Sequence, residues 1–157
     1  MSKIDHIYMS EALKEAHAAF ETDEVPVGAV IVYKGRVIGR ARNQIKLLKD
    51  PTAHAEMIAL TQAASYLANE RLLNTTIYVT IEPCAMCAGA LVLGRVKRLV
   101  YGARDPKTGA AGSVFKITNN RKLNHRLQVT RGVLEKDCAG LLKEFFKKKR
   151  KKSGEVA

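Results

Sequence analysis

Two short clusters carry the residue types from which a reactive centre is built. One is His54-Ala55-Glu56; the other, thirty positions after the histidine, is Pro83-Cys84-Ala85-Met86-Cys87. Cysteines at i and i+3 share one face of a helix, and a helix start, with its free amides and dipole, favours the thiolate that binds zinc. Proline fits the first position of such a helix, because the amide hydrogen it lacks would be orphaned there. If the histidine meets the two sulfurs, one imidazole and two thiolates make a three-ligand zinc site. Its fourth tetrahedral position stays open to a water whose pKa falls from about 15.7 toward 7. Glu56, two residues past the histidine, stands beside the metal without ligating it and can shuttle protons. Two other readings remain open: a thioredoxin-like redox pair, which leaves His54 and Glu56 without a task, and a structural zinc closed by Cys138.

The elements that must position these residues follow from periodicity. Met9, Leu13, Ala16 and Phe20 mark an amphipathic first helix. Val25 to Tyr33 and Arg36 to Ala41 read as strands joined by a tight turn at Lys34-Gly35. A second helix is expected from near Thr52, with Met57, Leu60, Ala64 and Leu67 on its inner face. Thr76 to Ile81, Pro83 to Leu93 and Arg98 to Tyr101 form a strand, helix and strand, which implies parallel pairing. The helix in that unit is apolar nearly all round, so its outer face can meet another subunit. Ala103 to Asn124 is a long connection, expected to hold a short helix near Val114. Leu127 to Thr130 is a last strand, and Glu135 to about Lys149 a last helix. The lysine run from Lys147 to Lys152 is expected to fray into solvent.

Length and composition bound the rest. The chain has 157 residues, 46% of them hydrophobic, enough for one core: a domain over residues 1–146 with a basic tail over 147–157. No apolar run approaches the roughly 20 residues that span a bilayer. The first twenty residues carry too much charge for a secretory signal, and three cysteines are too few for a disulfide framework, so a cytoplasmic location is expected. The net charge is +12, with seven basic and two acidic residues between Lys143 and Ala157. Basic charge on both body and tail points to a polyanion, nucleic acid ahead of an acidic membrane surface. Cys138 reads as a small buried residue; His6, His17 and His125 have no partner at ligand spacing and read as surface or hydrogen-bonding side chains.

The His-x-Glu and Pro-Cys-x-x-Cys pair resembles the zinc-dependent nucleobase and nucleoside deaminases, with ligand roles on His54, Cys84 and Cys87 and the proton shuttle on Glu56. The likeness extends through Val25 to Val30, Asn43, Asp50 to Glu56, Glu82 to Cys87, Gly102 to Asp105 and Lys107 to Gly112. That wider pattern resembles the bacterial tRNA-specific adenosine deaminase family.

The resemblance implies an α/β protein with a three-layer α/β/α cytidine-deaminase-like fold and a five-stranded mixed sheet. It further implies a homodimer, one zinc ion per subunit, and hydrolysis of the wobble adenosine of a tRNA anticodon stem-loop to inosine with release of ammonia. It places base contact on Asn43, whose amide offers both a donor and an acceptor. Val27 and Ala29 resemble pocket walls, though by themselves they are ordinary strand core. Asp105, Lys107, Phe145 and Arg150 resemble contacts to flanking nucleotides, though a charge pair in a loop can equally be solvated and adjacent phenylalanines can equally be core. The tail carries mostly lysines where the family often has arginines, which favours phosphate attraction over base-specific contact. A deaminase of free guanine, cytosine or a nucleoside, and a non-catalytic RNA-binding module with structural zinc, are the alternatives.

Overall fold

The computed structural model describes residues 2–156. It contains α1 (Lys3–Glu21), β1 (Gly28–Tyr33), β2 (Arg36–Arg42), α2 (Ile45–Leu48) and α3 (Ala55–Leu67). After these come β3 (Thr75–Ile81), α4 (Ala85–Leu93), β4 (Arg98–Ala103), β5 (Gln128–Arg131) and α5 (Glu135–Val156). The five strands form one sheet in the order β2-β1-β3-β4-β5. β1 runs antiparallel to both β2 and β3, whereas β3, β4 and β5 are parallel, so the sheet is mixed as expected.

Strand alternation splits the core into two layers. Ala29 and Ile31, Ile77 and Val79, and Leu99 and Tyr101 face α3 and α4; Val30 and Val32, Tyr78 and Val100 face α1 and α5. Helices thus cover both faces of the sheet. Gly28 lets α1 lie close on the sheet, since a Cβ there would sit 2.0 Å from the Ala12 carbonyl oxygen. Lys34 and Gly35 both take positive φ, the backbone of a tight hairpin turn whose twist matches the strands.

Several boundaries move for physical reasons. α3 starts at Ala55 and buries Ala55, Glu56, Ala59, Leu60 and Ala63, so three alanines on its inner face admit the sheet closely; Met57, Ala64 and Leu67 lie only at its margin. Pro83 precedes the cap of α4 instead of opening the helix. There is no helix near Val114: the connection from 104 to 127 is a series of turns with two isolated bridges, Cys84 to Gly109 and Ala111 to Lys116. The lysine run does not fray, because α5 continues through it to Val156. Residue 157 lies outside the described residues.

Candidate active site

Strand direction brings the functional residues to one edge of the sheet. Asn43 follows β2, Glu82 and Cys84 follow β3, Asp105 follows β4, and Val27 precedes the antiparallel β1, so all of them leave the sheet at that edge. It is the carboxyl edge of the parallel strands, where open α/β sheets place their ligands.

His54 and Cys84 are the N-cap residues of α3 and α4, both with extended backbone and neither with a side-chain cap hydrogen bond. An N-cap side chain ordinarily turns back to satisfy the helix amides. Here both turn outward to meet each other. His54 Nδ1 lies 3.7 Å from Cys84 Sγ and 3.5 Å from Cys87 Sγ, the latter one turn into α4. With nitrogen at about 2.0 Å and sulfur at about 2.3 Å from a tetrahedral zinc, the nitrogen-to-sulfur edge is about 3.5 Å. All three ligand atoms lie within 4.8 Å of one another, and this is the His, Cys and acidic cluster of that kind among the described residues. The donor set and its spacing fit zinc.

The electrostatics match. Cys84 is held down to about 4, first by the hydrogen bond from the Cys87 thiol and then by His54. Cys87, donating to that thiolate and buried, is pushed up. Glu56 is buried beside the cluster, and burial raises its carboxyl to about 7 while the charge of His54 works against the rise. A group that holds or yields a proton near neutrality suits acid-base work. Cys138 packs in the other layer of the core, under Gly102, with its thiol pushed up by burial to about 12, so it does not close the cluster. His6 and His17 are exposed, and His125 Nε2 meets the Val96 carbonyl, as expected of histidines outside the site.

A cavity of about 920 Å³ opens over the cluster, with His54, Glu56, Cys84, Val27, Asn43, Asp105, Lys107 and Arg150 among its walls. Asn43 is buried, and its Oδ1 already accepts the Ala55 N–H at 2.8 Å. One lone pair of Oδ1 is therefore engaged within the protein, while the Nδ2 donors and the second lone pair remain for a ligand. Ala29 does not line the cavity; its methyl faces the core. Asp105 lies on the rim, but Oδ1 accepts the N–H groups of Lys107 and Thr108 and Oδ2 the Thr108 hydroxyl, so this carboxylate shapes its own turn.

Phe145 lies away from the cavity as well. It is 6% exposed, packed edge-on against Phe20, and outside the cavity, whereas Phe146 is 44% exposed and forms part of the wall. Neighbours on a helix point about 100° apart, so packing of one releases the other. The cavity face of α5 is Leu142, Phe146, Lys149, Arg150 and Ser153, a helical stripe visible in the spacing once the face is known. Val25, Ile45 and Ile81 add apolar wall that carries no sequence signal beyond ordinary strand or turn hydrophobicity.

Residues 4–150 match the MafB19-like deaminase family. The tRNA-specific adenosine deaminase of Bacillus subtilis is 47% identical over 148 residues, 94% of this chain and 92% of that protein. The chain belongs to this deaminase family. The Haemophilus influenzae tRNA-specific adenosine deaminase is 51% identical over 150 residues, 95% of this chain and 87% of its own length. A structure from studies of A-to-I editing by tRNA:A34 deaminases at the wobble position of transfer RNA superposes with a TM-score of 0.84 at 45% identity, over 87% of this chain and 99% of that one. The guanine deaminase of Nitrosomonas europaea has the same fold at greater distance, with a TM-score of 0.74, 26% identity, and coverage of 89% and 83%. Membership of the family makes this chain an enzyme of hydrolytic deamination, with the three-layer fold expected of one.

Proposed function

We propose that the protein hydrolyses the wobble adenosine of a tRNA anticodon loop to inosine and ammonia, with one zinc ion per subunit held by His54 Nδ1 and the sulfurs of Cys84 and Cys87. The observation that carries this reading is the joining of a His, Cys, Cys cluster and a buried Glu56 in one cavity whose outer wall is the cationic stripe of α5. Zinc bound there supplies Lewis-acid activation of water. Glu56 would take one proton from a water activated there and pass it to the purine ring nitrogen, then carry that water's second proton to the departing amine, so that the oxygen stays on C6 and ammonia leaves. The Asn43 amide donates to the purine or its ribose, while its oxygen stays on Ala55. Val27 and the apolar wall enclose the base, and Lys107, Phe146, Lys149 and Arg150 face the nucleotides beyond it.

An anticodon loop presents unstacked bases, so little free energy is spent on extrusion. The outer face of α4 supports a homodimer: Ala85, Met86, Gly89, Ala90 and Leu93 make a stripe without a polar side chain, and Leu93 is 80% exposed. Thiolate ligands suit a reducing cytoplasm, and no described helix is long and apolar enough to cross a membrane.

Ammonia release tests the reading. An anticodon stem-loop with adenosine at the wobble position should be turned over at least about a hundredfold more efficiently than free adenosine, guanine or cytidine, because the flanking contacts position the target. Faster release from guanine or cytidine would select a small-molecule deaminase instead.

A further inference from the structure

Glu82, the residue before Pro83 and Cys84, is 1% exposed and forms no salt bridge among the described residues. Four donors surround it. Oε1 accepts the Asp105 N–H at 3.1 Å and the Ser113 hydroxyl; Oε2 accepts the Ala111 N–H at 3.0 Å and the Ser113 N–H at 3.1 Å. A carboxylate has about four acceptor sites, so none is left for substrate, metal or proton shuttling. Every donor comes from one segment, 105–113, which is wrapped around this side chain.

The same segment is tied to the strand end that leads into the metal ligands. The Ala110 N–H donates to the Pro83 carbonyl at 2.8 Å, and Gly109 bridges to Cys84. Gly109 lies so close that a Cβ there would stand 2.4 Å from Glu82 Cδ and 2.5 Å from the Asp105 carbonyl oxygen. Between these anchors the Asp105 turn holds Lys107 and Thr108 at the cavity mouth.

We propose that Glu82 is a positioning residue for the nucleotides beside the target: its carboxylate fixes the 105–113 segment in the conformation that presents Lys107 and Thr108 to them. Gly109 is required because only a residue without a side chain lets that segment close on the carboxylate. This rests on the tRNA-editing reading for its substrate but not for its geometry. Glutamine at position 82 would fill the space yet turn an NH2 group toward donors, leaving either the Asp105 N–H or both the Ala111 and Ser113 N–H groups without an acceptor.

The test measures kcat, KM, zinc content and hydrogen exchange for Glu82→Gln, Gly109→Ala and the milder Ser113→Ala. Glu82→Gln should raise KM for the stem-loop by about tenfold, keep kcat within about threefold, retain zinc, and speed exchange at Asp105, Ala111 and Ser113 without loosening α4. Gly109→Ala should give the same pattern with the carboxylate intact, and the double variant should be no worse than either single one. Ser113→Ala should shift KM and exchange in the same direction by less, and carries the test if the others fail to fold. A Glu82→Gln variant with parental KM and parental exchange would overturn the proposal, because volume alone would suffice. Loss of kcat together with zinc would also overturn it, placing the residue in the service of Cys84. If the parent enzyme fails to edit the stem-loop, the functional reading falls while the exchange data still decide what holds the segment.

Discussion

Asn43 Oδ1 accepts the Ala55 N–H at 2.8 Å, so one amide side chain joins the end of β2 to the first residue of α3, directly after His54 of the candidate metal cluster. The bond occupies one lone pair of the oxygen and orients the amide, and with it the Nδ2 donors. Asn43→Asp should keep the link to Ala55 and the metal while losing the donor, and kcat/KM should fall about a hundredfold or more, the usual cost of one aligned donor. Asn43→Ala loses both functions, and should also lower zinc affinity because His54 is no longer held. Metal analysis beside kinetics separates the two variants; equal zinc loss in both would contradict this division.

Glu56→Gln should retain fold and zinc and bind the stem-loop, yet lose turnover by about a thousandfold or more, since an amide fills the same space without accepting a proton. Near-parental turnover would remove Glu56 from the proton path.

For RNA binding, Arg150→Ala should reduce the slope of log affinity against log salt by about 0.7, the value for one phosphate contact on a single strand. Lys149→Ala should do the same unless its pair with Asp23 at 2.6 Å persists in the complex. Lys151, which is exposed but outside the cavity wall, should matter less. A slope unchanged in Arg150→Ala would mean that α5 meets no phosphate there.

Acid stability depends on a pair remote from the cavity. Asp5 accepts both Nη groups of Arg98, at 2.9 and 2.8 Å, and the Tyr78 hydroxyl at 2.8 Å. The Arg98 hydrogen bonds, opposed by burial, lower Asp5 from its ordinary 3.8 to about 2. A folded-state pKa below the unfolded one stabilises above the unfolded value, and the contribution disappears as pH falls through the folded one. On the order of 2 kcal/mol should therefore be lost between about pH 4 and pH 2. Urea unfolding across that window should show the decline in the parent and a flatter line in Asp5→Asn, which starts less stable at pH 7. Parallel lines would exclude Asp5 as the titrating group.

The candidate metal cluster is legible because its spacing is a property of single helix turns: Cys84 and Cys87 share a face, and His54 and Glu56 flank a helix start, whatever the rest of the chain does. Strand alternation likewise revealed the sheet. What was hidden depends on packing between distant segments. Phe145 and Phe146 are chemically alike, and only the seat of Phe145 against Phe20 frees Phe146 for the cavity. The role of Glu82 could not be read because its partners lie 23 to 31 residues away, in a connection without periodicity. The helical state of the lysine run is not legible in sequence, where its charge repulsion shows but the ion pair of Lys149 with Asp23 and the contact of Lys148 over Phe20 do not.

The most direct test of the central claim is mass spectrometry of RNA digested after incubation of unmodified tRNA with the zinc-loaded enzyme. The account predicts inosine at the wobble position of the anticodon and unchanged adenosine elsewhere. Inosine absent from that position, or scattered along the RNA, would contradict it.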